Sequence, residues 1–267
     1  MRIRATVAAV TGALALSALA VPAAQAAGNP VSDVTVSNVV INSGKNIVVG
    51  ASAQVTVSAT YTVTHPASVS AGSFVSGPLL YRGTSITSPS EALIGGDDPG
   101  TCTASSSTVL KCTAKIQFRP AATGDHDDLA NSQAGAWKVG SVVIDNADHV
   151  KWQSNLGAQK VQRLSKLTVD AAPEPVKKGK TITVTGALTR ANWDNHKYQG
   201  YTGQPVKLQF RKAGSTTYTT VKTVTTDSAG KLKATTTATA DGYFRYSFAG
   251  TTTTPAVSAA GDYLDVQ

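Results

Sequence analysis

The chain has 267 residues, with 24 Lys and Arg against 16 Asp and Glu, two Cys and four His; 15% of it is charged and 6% aromatic. This excludes a collagen repeat, a coiled coil and a disulfide-dense mini-protein, and a hydrophobic fraction of 41% excludes a wholly disordered chain. The length allows one or two domains of ordinary size.

The N-terminus reads Met1-Arg2-Ile3-Arg4, followed by an apolar run to Val21, Pro22 and the triplet Ala24-Gln25-Ala26. A basic start, a short apolar stretch and an Ala-x-Ala site predict a signal peptide over residues 1–26, cleaved after Ala26. The run falls short of the roughly 20 residues a bilayer needs, and no later segment is expected to span either. The polar C-terminus, Gly261 to Gln267, shows neither an apolar tail nor a wall-sorting signal. The expectation is a secreted, extracellular protein, released or held outside the cell by non-covalent contacts.

After the leader, strand signals dominate. Val55 to Val63 alternates with period two: Val55, Val57, Ala59, Tyr61 and Val63 share one face, and Thr and Ser the other. That pattern predicts a half-buried antiparallel strand. Similar runs lie at Val34–Ile41, Val109–Phe118, Trp137–Ile144, Thr181–Leu188, Val206–Phe210 and Tyr243–Phe248. No window of helical length keeps an i, i+3, i+4 apolar stripe, so the expected fold is all-β, of packed sandwiches. Trp137 and Trp152, in or beside strands, are expected in the core. In an oxidising compartment, Cys102 and Cys112 pair across a Ser-rich turn, in a disulfide worth about 2–3 kcal/mol.

A boundary is read near Leu164–Leu167, which gives domains at 27–164 and 165–267. Charge supports it: the first segment holds nine Lys and Arg and nine acids, the second thirteen and seven. The basic excess of the region after the leader therefore belongs to the second segment.

Thr181-Ile182-Thr183-Val184-Thr185-Gly186-Ala187-Leu188 is followed by Gly203 to Arg211, by Thr219 to Gly230 and by Gly242-Tyr243-Phe244-Arg245-Tyr246-Ser247-Phe248-Ala249-Gly250. From Ser165 to Gln267 this resembles the bacterial immunoglobulin-like modules of secreted actinobacterial proteins. The resemblance implies an immunoglobulin-like sandwich there, a β-turn at Asp227 to Gly230, and Phe244, Tyr246 and Phe248 pointing inward. With the first segment, whose length suits a large sandwich, the expected architecture is two immunoglobulin-like β-sandwich domains in tandem after the signal peptide. The alternation alone puts Tyr243, Arg245 and Ser247 on the opposite face. The whole chain resembles secreted actinobacterial proteins too, a resemblance that transfers no mechanism.

No Gly-x-Ser-x-Gly, His-Glu-x-x-His or phosphate-binding Gly-rich loop is present, and a non-enzymatic protein is expected. The rival is a small secreted hydrolase with its site in the first domain's loops. Asp125, Asp127 and Asp128 crowd one turn and could supply oxygens to calcium, though such residues favour turns for their own backbone bonding. No other cofactor is expected. Trp193, Tyr198 and Tyr201 lie in a polar connection and could stack on a ligand; alternatively, Trp193 and one Tyr fold back to plug the sandwich end. The Lys and Arg of the second domain are dispersed, which suits plain solubility or weak retention on cell-wall polymers, another extracellular macromolecule or phospholipid headgroups; nucleic acid is not expected. The role anticipated is binding, adhesion or structure at the cell envelope.

Overall fold

Val, Thr, Ile and aromatic residues fit a pleated, half-buried surface, while Gly, Pro, Asp and Asn punctuate it. The computed structural model describes residues 31–87, 93–120 and 128–267, and these are almost entirely strands and turns. The leader read over residues 1–26 lies outside them, as do Asp125 and Asp127 of the candidate calcium turn. Among the described residues no helix is long and apolar enough to cross a membrane.

The strands up to residue 163 are β1 (Thr35–Ile41), β2 (Ile47–Val49), β3 (Val55–Thr64), β4 (Phe74–Tyr81), β5 (Leu93–Ile94), β6 (Thr101–Ala104), β7 (Val109–Pro120), β8 (Asp128–Leu129), β9 (Gly135–Asp145) and β10 (Val150–Arg163). They make two sheets, one ordered β1-β3-β7-β6 with β8 on β7, the other β2-β10-β9-β4-β5. Then come β11 (Ser165–Leu167), β12 (Asp170–Ala172), β13 (Thr181–Asn192), β14 (Lys197–Gly200), β15 (Pro205–Lys212), β16 (Thr219–Thr225), β17 (Lys231–Thr237), β18 (Gly242–Phe248), β19 (Val257–Ser258) and β20 (Asp262–Leu264). These make β11-β13-β12, with β14 and β17 also on β13, and β16-β15-β18-β19, with β20 also on β18. The fold is all-β, built of packed, largely antiparallel sheets. Every strand window read from the sequence is present, usually extended by a residue or more at its ends.

Two compact units emerge. One gathers the described residues up to Lys45 with Thr56–Gln117 and Lys138–Gln159; the other gathers Asn46–Val55, Phe118–Trp137 and Lys160–Gln267. In the first unit Val36, Tyr61, Val63, Leu110 and Ala114 from one sheet meet Phe74 and Val143 from the other. The alternation of β3 is realised, with Val57, Ala59, Tyr61 and Val63 buried. Thr62, on the other face, is also buried, and the Lys111 Nζ donates to its hydroxyl at 3.0 Å. Cys102 and Cys112 stand directly opposite in the β6–β7 ladder and are bonded. Trp137 is buried in the second unit and its Nε1 donates to the Gln133 carbonyl at 2.9 Å. Trp152 is half-buried against Leu79, Tyr81 and Ile86.

In the second unit Ile182, Val184, Leu188, Leu232 and Ala234 face Val206, Leu208, Phe244, Tyr246 and Phe248. Each aromatic of β18 read as inward is buried, and Tyr243, Arg245 and Ser247 take the outer face, half-buried. Burying such side chains contributes about 1.5–3 kcal/mol each for Val, Leu or Phe.

Candidate functional site

The polar connection around Trp193 folds as a hairpin, not an open loop. Strand β13 runs on to Asn192 and β14 pairs back on it, with Ala191 opposite Tyr198. Trp193 is fully buried, and its Nε1 donates to the Val49 carbonyl at 3.3 Å. Asn131 grips the turn: its backbone N–H and side-chain amide both donate to the Asp194 carboxylate, and its Oδ1 accepts the Trp193 N–H at 2.9 Å. The Arg163 Nε donates to the Ala191 carbonyl at 2.6 Å. Burial, helped by the nearby Arg190 charge, brings the Arg163 guanidinium down to about 10, against the pull of Asp194 and Tyr201.

Tyr198 and Tyr201 are half-buried on the same hairpin. The Lys166 ammonium lies 3.8 Å from the Tyr198 ring centroid, and the Arg190 guanidinium 3.8 Å from that of Tyr201. Tyr201 also meets Phe248 edge-on, at 5.8 Å. Burial pushes the Tyr198 phenol up. The three aromatics therefore stand in separate settings, one sealed and two covered by cations on a ring face. Asp128 falls at the start of β8, and the other two residues of the candidate calcium turn lie outside the described residues. Among the described residues no cluster of three or more His, Cys, Asp or Glu side chains could hold a metal.

A different group stands out, on the outer face of the second unit's β16-β15-β18-β19 sheet. Antiparallel register sets Arg211 opposite Tyr243, Gln209 opposite Arg245, and Lys207 opposite Ser247. Tyr243 in turn stands opposite Tyr263 of β20, with ring centroids 5.1 Å apart. The Arg245 guanidinium lies 3.8 Å from the Tyr218 ring centroid, and its Nε donates to Gln209 Oε1 at 2.9 Å. The Arg211 guanidinium lies 4.1 Å from the Tyr243 centroid and 5.3 Å from that of Tyr218, and one Nη donates to the Ser215 carbonyl at 2.6 Å. Neither guanidinium has a carboxylate within ion-pairing distance among the described residues. At the β20 end the field reverses: partial burial and the charges of Asp241 and Asp265 push the Tyr263 phenol up.

The outward alternation of Tyr243-x-Arg245-x-Ser247 was legible. What the sequence did not show was the register that sets it opposite Arg211, Gln209 and Lys207, or the return of Tyr218, from just before β16, over Arg245. Chemically the result is a row of planar groups with several unused N–H donors and no neutralising acid at its centre.

No protein family model matches the chain, and no curated protein matches it. Solved structures similar to it include dimeric latent PorU from Porphyromonas gingivalis, at 12% identity and TM-score 0.28 over 92% of this chain and 21% of that one. FdeC, an Escherichia coli adhesin, is similar at 14% identity and TM-score 0.34, over 87% of this chain and 64% of that one. The D00–D0 domain of intimin is similar at 15% and 0.26, over 85% of this chain and 98% of that one. The chain thus spans about a fifth of the PorU chain.

Proposed function

We propose that this is an exported, non-catalytic protein that binds at the cell envelope, with a leader at 1–26 and immunoglobulin-like domains at 27–164 and 165–267. The observation that carries the reading is the outer face of β15 and β18, where Arg211 and Arg245 rest on tyrosine rings and have no acidic partner among the described residues. The second segment carries thirteen Lys and Arg against seven acids, a net positive charge that attracts anions. The cysteines serve the β6–β7 hairpin, and no chemistry is assigned to them.

The test is cosedimentation of the purified chain with isolated bacterial cell walls. Binding is expected at about 50 mM salt and should weaken steeply by about 500 mM, because exposed charges are screened within a few ångströms at high salt. Absence of binding at low salt would remove the envelope reading, and salt-independent retention would remove its electrostatic basis.

A further inference from the structure

Resting on that reading, we infer that the Tyr218–Arg245–Arg211–Tyr243 row is a recognition strip for an anionic polysaccharide, a sugar polymer bearing carboxylate or phosphate groups. The row holds its guanidiniums in advance. Each lies against a phenol ring and gives one N–H to a protein oxygen: Arg245 to Gln209 and Arg211 to Ser215. A guanidinium so placed has only one of its five donors spent, and it matches a carboxylate or phosphate in a two-point pairing. Fixing it beforehand reduces the ordering cost that a flexible surface lysine would meet on binding.

The composition of the face decides between a glycan and a protein partner. Lys207, Arg211 and Arg245 occupy outward positions on β15 and β18: Lys207 faces Thr223 and Ser247, Arg245 faces Gln209 and Arg211 faces Tyr243, with Thr220 next to Gln209 and Ser258 next to Ser247. Apart from Tyr243 these are hydroxyls, an amide and cations, and the exposed aliphatic on the adjoining β16 is Val221. A protein interface of useful affinity centres on buried aromatic and aliphatic anchors that exclude water. This strip has tyrosines whose rings are already shared with arginines, and no aliphatic residue at those positions. Hydroxyl-rich sugar rings can stack on the phenols and hydrogen-bond to Gln209, Ser247 and Ser258, while their acidic groups reach the guanidiniums. The acids lie at one end of the strip, beside Tyr243 and Tyr263. Asp241 accepts the Val266 N–H and Asp262 the Ala171 N–H, each at the β20 end. A polyanion therefore runs from Tyr218 toward Ser247 and away from Tyr263.

The experiment measures affinity of the purified full chain for immobilised polygalacturonate, with dextran, poly-L-glutamate and inorganic polyphosphate as comparators. Polygalacturonate should bind, and dextran should not. Arg211→Gln and Arg245→Gln should each weaken binding about tenfold, the loss of one charge-assisted pair. Arg245→Lys keeps the charge but loses the planar fork, and should still weaken binding several-fold. Tyr218→Ala should weaken it less than Arg245→Gln, and Lys231→Gln, away from the strip, should leave it unchanged. Unchanged melting temperatures would show that the variants fold; if a Gln variant does not, Arg245→Lys carries the test.

Equal binding to poly-L-glutamate or polyphosphate would overturn the sugar assignment, and equal binding to dextran the anionic one. A chain that cosediments with walls while Arg211→Gln and Arg245→Gln change nothing keeps the envelope reading and loses this strip. A chain that binds no wall fraction loses the envelope reading, whatever polygalacturonate does.

Discussion

Each sandwich is crossed by one buried tyrosine hydroxyl, and the two ties differ in what holds them. In the first unit Tyr61 of β3 donates to the Ser76 carbonyl of β4 at 2.9 Å and lies 3.1 Å from the Ser76 hydroxyl. Gly100 closes over that hydroxyl and gives its own N–H to the same carbonyl. In the second unit Tyr246 of β18 donates to the Val184 carbonyl of β13 at 2.9 Å, and its ring lies on Gly186. One tie is shared with a serine and a backbone N–H; the other stands by itself among apolar side chains. A phenol crossing a sandwich adds a directional bond to a non-directional core, and its surroundings set what its loss costs.

Gly186→Ala should break the comparison most. A Cβ there would lie 2.8 Å from the Tyr246 ring and would overlap the Thr168 carbonyl, which cannot give way without moving backbone. Overpacking of this kind costs about 3 kcal/mol. Chemical denaturation of the variant should show that loss, and a midpoint unchanged from wild type would mean the ring does not rest on this glycine.

Tyr246→Phe sharpens it next. Removing the hydroxyl should cost about 1–2 kcal/mol, against about 1 for Tyr61→Phe, because the Ser76 carbonyl keeps the Gly100 N–H. The burial of the Tyr246 phenol can also be read by pH. Burial pushes the Tyr246 phenol up to about 12, so between an ordinary phenol value of about 10 and about 12 the unfolded chain releases a proton that the folded chain keeps. This contribution is fully present below pH about 10 and is lost as pH rises through about 12. Tyr246→Phe should flatten that alkaline fall; an equally steep fall in the variant would assign it elsewhere.

The sandwich core was the most legible part of the chain. Period-two alternation marks strands because one face is buried; β18 shows it without interruption, and β3 departs from it at Thr62. Trp137 and the Cys102–Cys112 pair could be placed from strand context and spacing. Trp193 was ambiguous for a physical reason: burial of an aromatic on a turn depends on distant partners, here Asn131 and Val49, and no local pattern encodes them. The same limit hid the Tyr–Arg strip. Arg211 and Tyr243 are far apart in sequence and become neighbours only through the β15–β18 register, while Tyr218 belongs to no alternating run. The short parallel strand β2, opposite Val161 to Arg163, was also missed, since three residues carry no period.

The smallest expected difference lies in two matching turns. Asp145-Asn146-Ala147-Asp148-His149 and Asp227-Ser228-Ala229-Gly230-Lys231 are built alike. In each, the first Asp accepts the N–H groups two and four residues on, and its backbone N–H donates to the fifth residue's carbonyl. The fourth residue of each is left-handed: Asp148 at φ 62°, Gly230 at φ 77°. At Asp145 partial burial works to raise the carboxyl, but the His149 ring, 2.9 Å away, and the two backbone N–H groups outweigh it and hold it below the usual range. At Asp227 the N–H groups of Lys231 and Ala229 do this without a ring partner. A depressed carboxyl gives stability that is present above the ordinary value of about 3.9 and lost as pH falls through its folded one. Asp145→Asn and Asp227→Asn should therefore each flatten the acid limb of the stability curve. Asp145→Asn should do so more, because the asparagine also loses the His149 contact. Melting curves from neutral pH down to about 2 would show it, and equal flattening by the two variants would mean that His149 adds nothing to its turn.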